Sequence, residues 1–203
     1  ADAERSVMVT TPEGVTLTTQ HNVHGETVRV TDGTGVATAY AYDLDGRLVE
    51  TIEAIDDYGY GFTSTREYDN AGRLVLATGA SGRSVAYDYD AQGRQVSTTD
   101  PGGIVTTMRY DGNGQLLETV QDAGGLNLRT TYAWDARGLQ LSVTAGAGTV
   151  ESRKTAYVYD MLGRRVSETF DAGAGRENLT TLYAYDAHDN LVASTDAAGR
   201  VTR

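Results

Sequence analysis

The 28 Asp and Glu side chains of this 203-residue chain outnumber its 17 Lys and Arg, and seven of the carboxylates recur at one place, directly after an aromatic residue. The motif is aromatic, Asp, two variable residues, then Gly in six of seven copies and commonly Arg. Its members are Tyr42, Asp43 and Gly46; Tyr68, Asp69 and Gly72; Tyr89, Asp90 and Gly93; Tyr110, Asp111 and Gly114; Trp134, Asp135 and Gly138; Tyr159, Asp160 and Gly163; and Tyr185 with Asp186. The seventh Gly slot holds Asp189, a residue type that tolerates positive φ better than most. Carboxylate catalysis needs two particular carboxyls in one cleft with separated pKa values. Seven equivalent copies argue for a structural role, in which each Asp accepts hydrogen bonds from turn amides.

Other chemistry fares no better. Asp43 with Asp45, and Asp56 with Asp57, place oxygens close together, but calcium takes six to eight oxygen ligands and no full calcium loop is present. His21 and His24 lie three apart and His188 is distant. With no Cys in the chain, they do not make a four-ligand zinc site. No Gly-x-Ser-x-Gly context supports a nucleophilic Ser, and Gly33-Thr34-Gly35 lacks the strand-turn-helix setting of a phosphate loop. Arg47, Arg73, Arg94 and Arg164 follow the turn Gly. They are suited to anions, but pairing with the repeated Asp or stacking on Tyr is favoured. Rows of Tyr can stack on sugars, yet they are also the obvious filler of a packed face. No catalytic, cofactor-binding or metal-ligating residue is therefore assigned, and no ligand site.

The elements that position these residues follow from the spacing. Successive motif Asp residues lie 26, 21, 21, 24, 25 and 26 residues apart. Asp at i and Gly at i+3 are the preferences of a type I turn, and Gly in the left-handed region makes it a three-residue hairpin loop with a G1 bulge. The residue six after each Asp is aliphatic: Val49, Val75, Val96, Leu117, Leu141, Val166 and Val192. Tyr40, Tyr87, Tyr132, Tyr157 and Tyr183 stand two before the aromatic, on the same strand face, which predicts a packed side. Second turns fall between the first: Asp32 to Gly35, Asp56 to Gly59, Asp100 to Gly103, Asp122 to Gly125 and Asp196 to Gly199. Looser ones run from Gly79 to Gly82, Ala145 to Gly148 and Asp171 to Gly175.

Residues 1–31 lack the motif but keep the rhythm, with strands around Val7 and Val9, Val15 and Leu17, and, after a break at His21 to Gly25, Val28 and Val30, and with a turn at Thr11-Pro12-Glu13-Gly14. Turn signals this frequent, with no sustained helical period, predict an all-β, meandering and curled antiparallel sheet. It has roughly 15 strands of ordinary short length. The chain reads as a single array over 1–203, with degenerate strands over 1–31 and seven repeats over 32–203.

Composition agrees. Thirteen Tyr and 24 Gly accompany only two Phe and one Trp, so a two-layer core is hard to fill. A net charge of −11 without clustered Lys or Arg argues against nucleic acid or anionic membrane as partner. No apolar run reaches the ~20 residues of a membrane span.

The run aromatic-Asp-x-x-Gly-Arg-Leu, at Tyr42 to Leu48 and Tyr68 to Leu74, resembles the RHS/YD-repeat family, whose bacterial members include polymorphic toxins and the cocoon components of insecticidal toxin complexes, and whose animal members are teneurins. The resemblance implies a spiralling β-sheet that forms part of a shell or barrel. The function it implies is a non-catalytic wall that encapsulates or displays a toxin or partner domain. Implied partners are the rest of the shell and an enclosed or attached C-terminal toxin domain. The implied location is secreted or cell-surface. The family's cleavage region has an Asp-Pro-x-Gly signature. Asp100-Pro101-Gly102-Gly103 fits superficially but sits in the register of the second turns, and reads as a turn with Pro at i+1. Residues 196–201 read as a strand begun without its partner, so this is expected to be a length of wall without cleavage site or payload. Open sheet edges would pair with other chains, giving self-association. The other reading is an extracellular module that binds carbohydrate or a surface protein, motivated by the Tyr-rich faces, with Tyr58 and Tyr60 outside the repeat pattern.

Overall fold

The computed structural model describes residues 5–10, 14, 16–56, 59–173 and 175–203. The expected turn at Thr11-Pro12-Glu13, the strand residue Val15, and Asp57 and Tyr58 lie outside the described residues. The chain forms two compact units, residues 1–88 with 99–103 and residues 89–98 with 104–203.

The first unit holds β1 (Arg5–Thr10), β2 (Thr16–His21), β3 (Thr27–Thr31), β4 (Ala37–Tyr42), β5 (Leu48–Ile55), β6 (Phe62–Tyr68), β7 (Leu74–Thr78) and β8 (Ser84–Tyr89). Each pairs antiparallel with the next. The second unit holds β9 (Gln95–Thr99), β10 (Val105–Tyr110), β11 (Leu116–Gln121), β12 (Leu128–Trp134), β13 (Gln140–Ala145), β14 (Arg153–Tyr159), β15 (Arg165–Phe170), β16 (Leu179–Tyr185), β17 (Leu191–Thr195) and β18 (Val201–Thr202). These too pair in succession. The fold is all-β and antiparallel. Among the described residues there are 18 strands where roughly 15 were expected, because every turn of either series separates two strands, down to the two-residue β18. That strand does find a partner, pairing back onto β17.

Burial is shallow. Among the described residues the buried hydrophobics are Ala37 and Ile55, at 1% and 7% exposure, and they face each other across β4 and β5. Most strand residues, Thr, Ser, Ala and Tyr among them, are half-buried. β5 bulges to seat Ile55: Glu53 and Ala54 fall between the pairs Ala39–Ile52 and Ala37–Ile55, and Ala54 has φ 53°. Opposite the bulge, a Cβ on Gly61 would stand 2.6 Å from the Glu53 carbonyl oxygen, so this approach requires glycine.

The register slips by one residue behind the motif turns. Tyr42 faces Leu48 while Ala41 faces Glu50, skipping Val49. The same slip skips Val75, Leu117, Leu141, Val166 and Val192. The aliphatic six after the Asp is thus the bulged residue of its hairpin. Leu141 and Val192 stand exposed. The expectation that the whole aliphatic row packs is corrected at these two positions, while Val49, Val75, Leu117 and Val166, bulged in the same way, are half-buried.

Candidate functional site

Each motif turn is built from its own residues. The Asp43 N–H donates to the Arg47 carbonyl at 2.9 Å, and the Gly46 N–H to the Asp43 carbonyl at 3.1 Å. Gly46 has φ 78°, where a side chain is strained. Oδ1 of Asp43, Asp69, Asp90, Asp111, Asp135, Asp160 and Asp186 accepts the amides two and four residues on, at 2.8–3.0 Å. The outer oxygen takes a guanidinium: Arg47, Arg73, Arg94 and Arg164 donate Nε to Oδ2 of their own Asp at 2.7 Å. Asp189, at φ 64°, fills the seventh Gly slot.

Successive turns are then joined. The aromatic of one turn donates from its far end to the backbone of the turn before. Tyr42 Oη reaches the Thr27 carbonyl and Tyr68 Oη the Leu48 carbonyl, at 2.9 and 3.0 Å. In the second unit Tyr110, Tyr159 and Tyr185 reach Gln95, Gln140 and Arg165 at 2.9–3.0 Å. Trp134 does the same with Nε1, 2.7 Å from the Leu116 carbonyl. In the other direction, Nη1 of Arg94 and Arg164 donates to the carbonyls of Asp111 and Asp186 at 2.9 and 3.1 Å. The guanidinium of Arg47 lies over the Tyr68 ring at 5.2 Å, and those of Arg94 and Arg164 over Tyr110 and Tyr185 at 4.9 Å, within cation–π range. Carboxylate, guanidinium and phenol thus form a ladder along one side of each unit.

Two features of the ladder escaped the sequence reading. The break at His21 to Gly25 is an eighth turn of the motif kind, running to Glu26. The Asn22 N–H donates to the Glu26 carbonyl and the Gly25 N–H to the Asn22 carbonyl, while Asn22 Oδ1 accepts the amides of His24 and Glu26, both at 3.0 Å. An amide oxygen accepts as a carboxylate does, so Asn replaces Asp. The reading that residues 1–31 lack the motif is corrected accordingly. The spacing of Asn22 to Gly25, with Val28 six after Asn22, was the available signal. Second, the Asp135 turn has Leu139 in the Arg place, but Arg137 supplies the guanidinium from two residues earlier. Its Nε donates to Asp135 Oδ2 at 2.9 Å and its Nη1 to the Asp160 carbonyl at 3.1 Å.

The turns on the opposite side repeat the chemistry with variation. Asp196 accepts from Ala198, Arg200 and the Arg200 guanidinium as a motif Asp does. Asp100 to Gly103 closes through the Gly103 N–H to the Asp100 carbonyl at 2.9 Å, a turn with Pro101 inside it. Asp122 and Asp171 open wider loops, closed by Asn127 and Asn178, whose Oδ1 accepts the amides of Gly124 and Gly173 at 3.0 and 2.9 Å.

The carboxyls are correspondingly acidic. The Arg47 amide, foremost, holds Asp43 below the usual carboxylate range, and the Arg73 and Leu139 amides do so for Asp69 and Asp135. The Arg164 side chain leads at Asp160 and the Asn190 side chain at Asp186. These groups stay ionised near neutrality, each engaged by its own turn. Among the described residues no three His, Asp or Glu side chains gather as a metal site.

The chain matches the family model described as RHS Repeat over residues 21–54, 68–105, 89–126 and 110–150. Its first match opens at His21, where the eighth turn begins. Double-stranded DNA deaminase toxin A of Burkholderia cenocepacia (strain H111) is 32% identical over 182 residues, 81% of this chain. The chain spans only 12% of that protein's length. The crystal structure of TcdB2-TccC3-TEV is similar with a TM-score of 0.69 at 17% identity, over 92% of this chain and 11% of that one. TcdB2-TccC3 without its hypervariable C-terminal region gives 0.63 at 17% identity, over 94% and 12%. At these identities the likeness is one of fold.

Proposed function

The chain belongs to the RHS repeat family, and from that premise we propose that it is a non-catalytic length of wall in a toxin shell, which encloses or displays a toxin or partner domain. One observation carries this reading: the groups capable of chemistry are taken up by the ladder. Asp oxygens are filled by turn amides and guanidinium groups, and phenol and indole tips by carbonyls of the preceding turn. What remains is surface, in units with few buried hydrophobics. The name of the relative supports a toxin context, and the deaminase activity in that name is taken to belong to other parts of such a protein. We place the wall outside the cell, secreted or at the surface, in contact with the rest of its shell as one continuous array over 1–203, with exposed sheet edges able to self-associate.

The test is protease protection. Expressed with the sequence that follows it in its gene, the segment should shield that sequence from protease. Asp43→Ala with Asp160→Ala, which breaks one turn in each unit, should abolish the shielding. Equal digestion with and without the substitutions, or no shielding at all, would refute encapsulation.

A second reading, recognition of carbohydrate or a surface protein, is favoured by Tyr60 and Phe62, exposed at 76% and 64% beside the β5–β6 turn. A glycan array that shows hits lost on Tyr60→Ala supports it, and an array without hits removes it.

A further inference from the structure

The rung between the Asn22 turn and the Asp43 turn, inside the first unit, departs from the others. Where Arg47 Nη1 stands 3.0 Å from the Cβ position of Gly72, Glu26 Oε1 stands 2.8 Å from that of Gly46. A carboxylate here accepts hydrogen bonds and cannot donate them. The carbonyl equivalent to those that receive Arg94 and Arg164 is that of Asp43, another acceptor. Among the described residues no guanidinium stacks on Tyr42, the counterpart of the rings covered by Arg47, Arg94 and Arg164. Over this place lies a cavity of about 440 Å³, lined among others by Glu26, Tyr40, Tyr42, Asp43, Asp45 and Gly46.

We propose that this cavity binds a guanidinium group, the arginine side chain of a partner protein, stacked on Tyr42 and shared between the Glu26 carboxylate and the Asp43 carbonyl. The chain itself supplies the template, because three rungs hold a guanidinium in the equivalent cradle. Glu26 converts that cradle from self-filled to partner-filled. The planar fork of Arg reaches ring, carboxylate and carbonyl at once, which a point-like ammonium does not. A metal ion is a poorer fit, since no three metal-ligating side chains gather here among the described residues. Burial, and then the Glu26 charge, raise the Tyr42 phenol above its ordinary value, so the carboxylate's field reaches the ring where the cation would lie.

N-acetyl-arginine amide, titrated into the whole chain, tests this through the backbone amide resonances of residues 22–47. We expect saturable shifts centred on Tyr42 and Gly46, several-fold weaker with N-acetyl-lysine amide. Glu26→Arg should abolish them and raise the thermal midpoint, since the chain then fills its own cradle. Glu26→Gln should weaken binding while the spectrum stays folded, which guards against a misfolded Arg variant. No saturable shift in the wild type, equal shifts in Glu26→Arg, or equal response to the lysine compound would overturn the assignment.

Discussion

The aromatic ahead of each motif Asp carries a hydrogen-bond donor at its far end, the phenol of Tyr or the indole N–H of Trp134. Tyr159→Phe keeps the ring and deletes the bond to the Gln140 carbonyl, so it should cost about 1 kcal/mol in urea denaturation. Tyr60→Phe, on a ring 76% exposed, should leave the midpoint unchanged. Trp134→Phe should behave like Tyr159→Phe, losing the bond to Leu116. The Gly slot obeys backbone sterics instead. Gly163 has φ 82° with only an ordinary contact from Leu139 nearby, so Gly163→Ala should cost about 1 kcal/mol through the left-handed backbone alone.

At the scale of the hairpin, what matters is that a guanidinium arrives, and the position that sends it is secondary. Arg137→Ala should lower the thermal midpoint by removing the link from Asp135 to the Asp160 carbonyl. Adding Leu139→Arg, which restores the usual position, should recover most of the loss, and a double-mutant comparison of melting midpoints checks this. The same contrast explains what could be read in advance. Asp and Gly at fixed spacing encode a turn locally, so seven turns and the all-β class were readable from residue types. Substitution by chemical equivalence hid the motif within the break at His21 to Gly25, where Asn22 accepts as Asp does. The rescue by Arg137 depends on where a long side chain reaches in space, which spacing does not encode. The slip that bulges Val49 and its counterparts was hidden too, because it is set by which residues pair across two strands, which residue types along one strand do not encode.

At the scale of the whole molecule, eight Asp carboxyls among the described residues are held below their ordinary values: Asp32, Asp43, Asp69, Asp90, Asp135, Asp160, Asp186 and Asp196. A carboxyl more acidic folded than unfolded contributes stability that is present above the unfolded value, about 3.9. That contribution is lost as pH falls through the folded value. The melting midpoint should therefore hold steady from neutrality down towards about pH 4 and then fall. A midpoint that rose on acidification would contradict the ladder as a source of stability. The net charge of −11 adds repulsion at neutral pH, which salt should relieve modestly.

The joins between turns have a further consequence for how such a chain comes into being. Their hydrogen bonds span only 15 to 25 residues, and Tyr or Trp of each new turn reaches back to a carbonyl already in place. A hairpin leaving the ribosome meets the acceptor for its ring in the hairpin made just before it, and its own Arg, as at Arg94 and Arg164, waits only for the carbonyl of the hairpin that comes next. Assembly can then proceed one hairpin at a time during synthesis, without the long loop closures that slow most all-β folds.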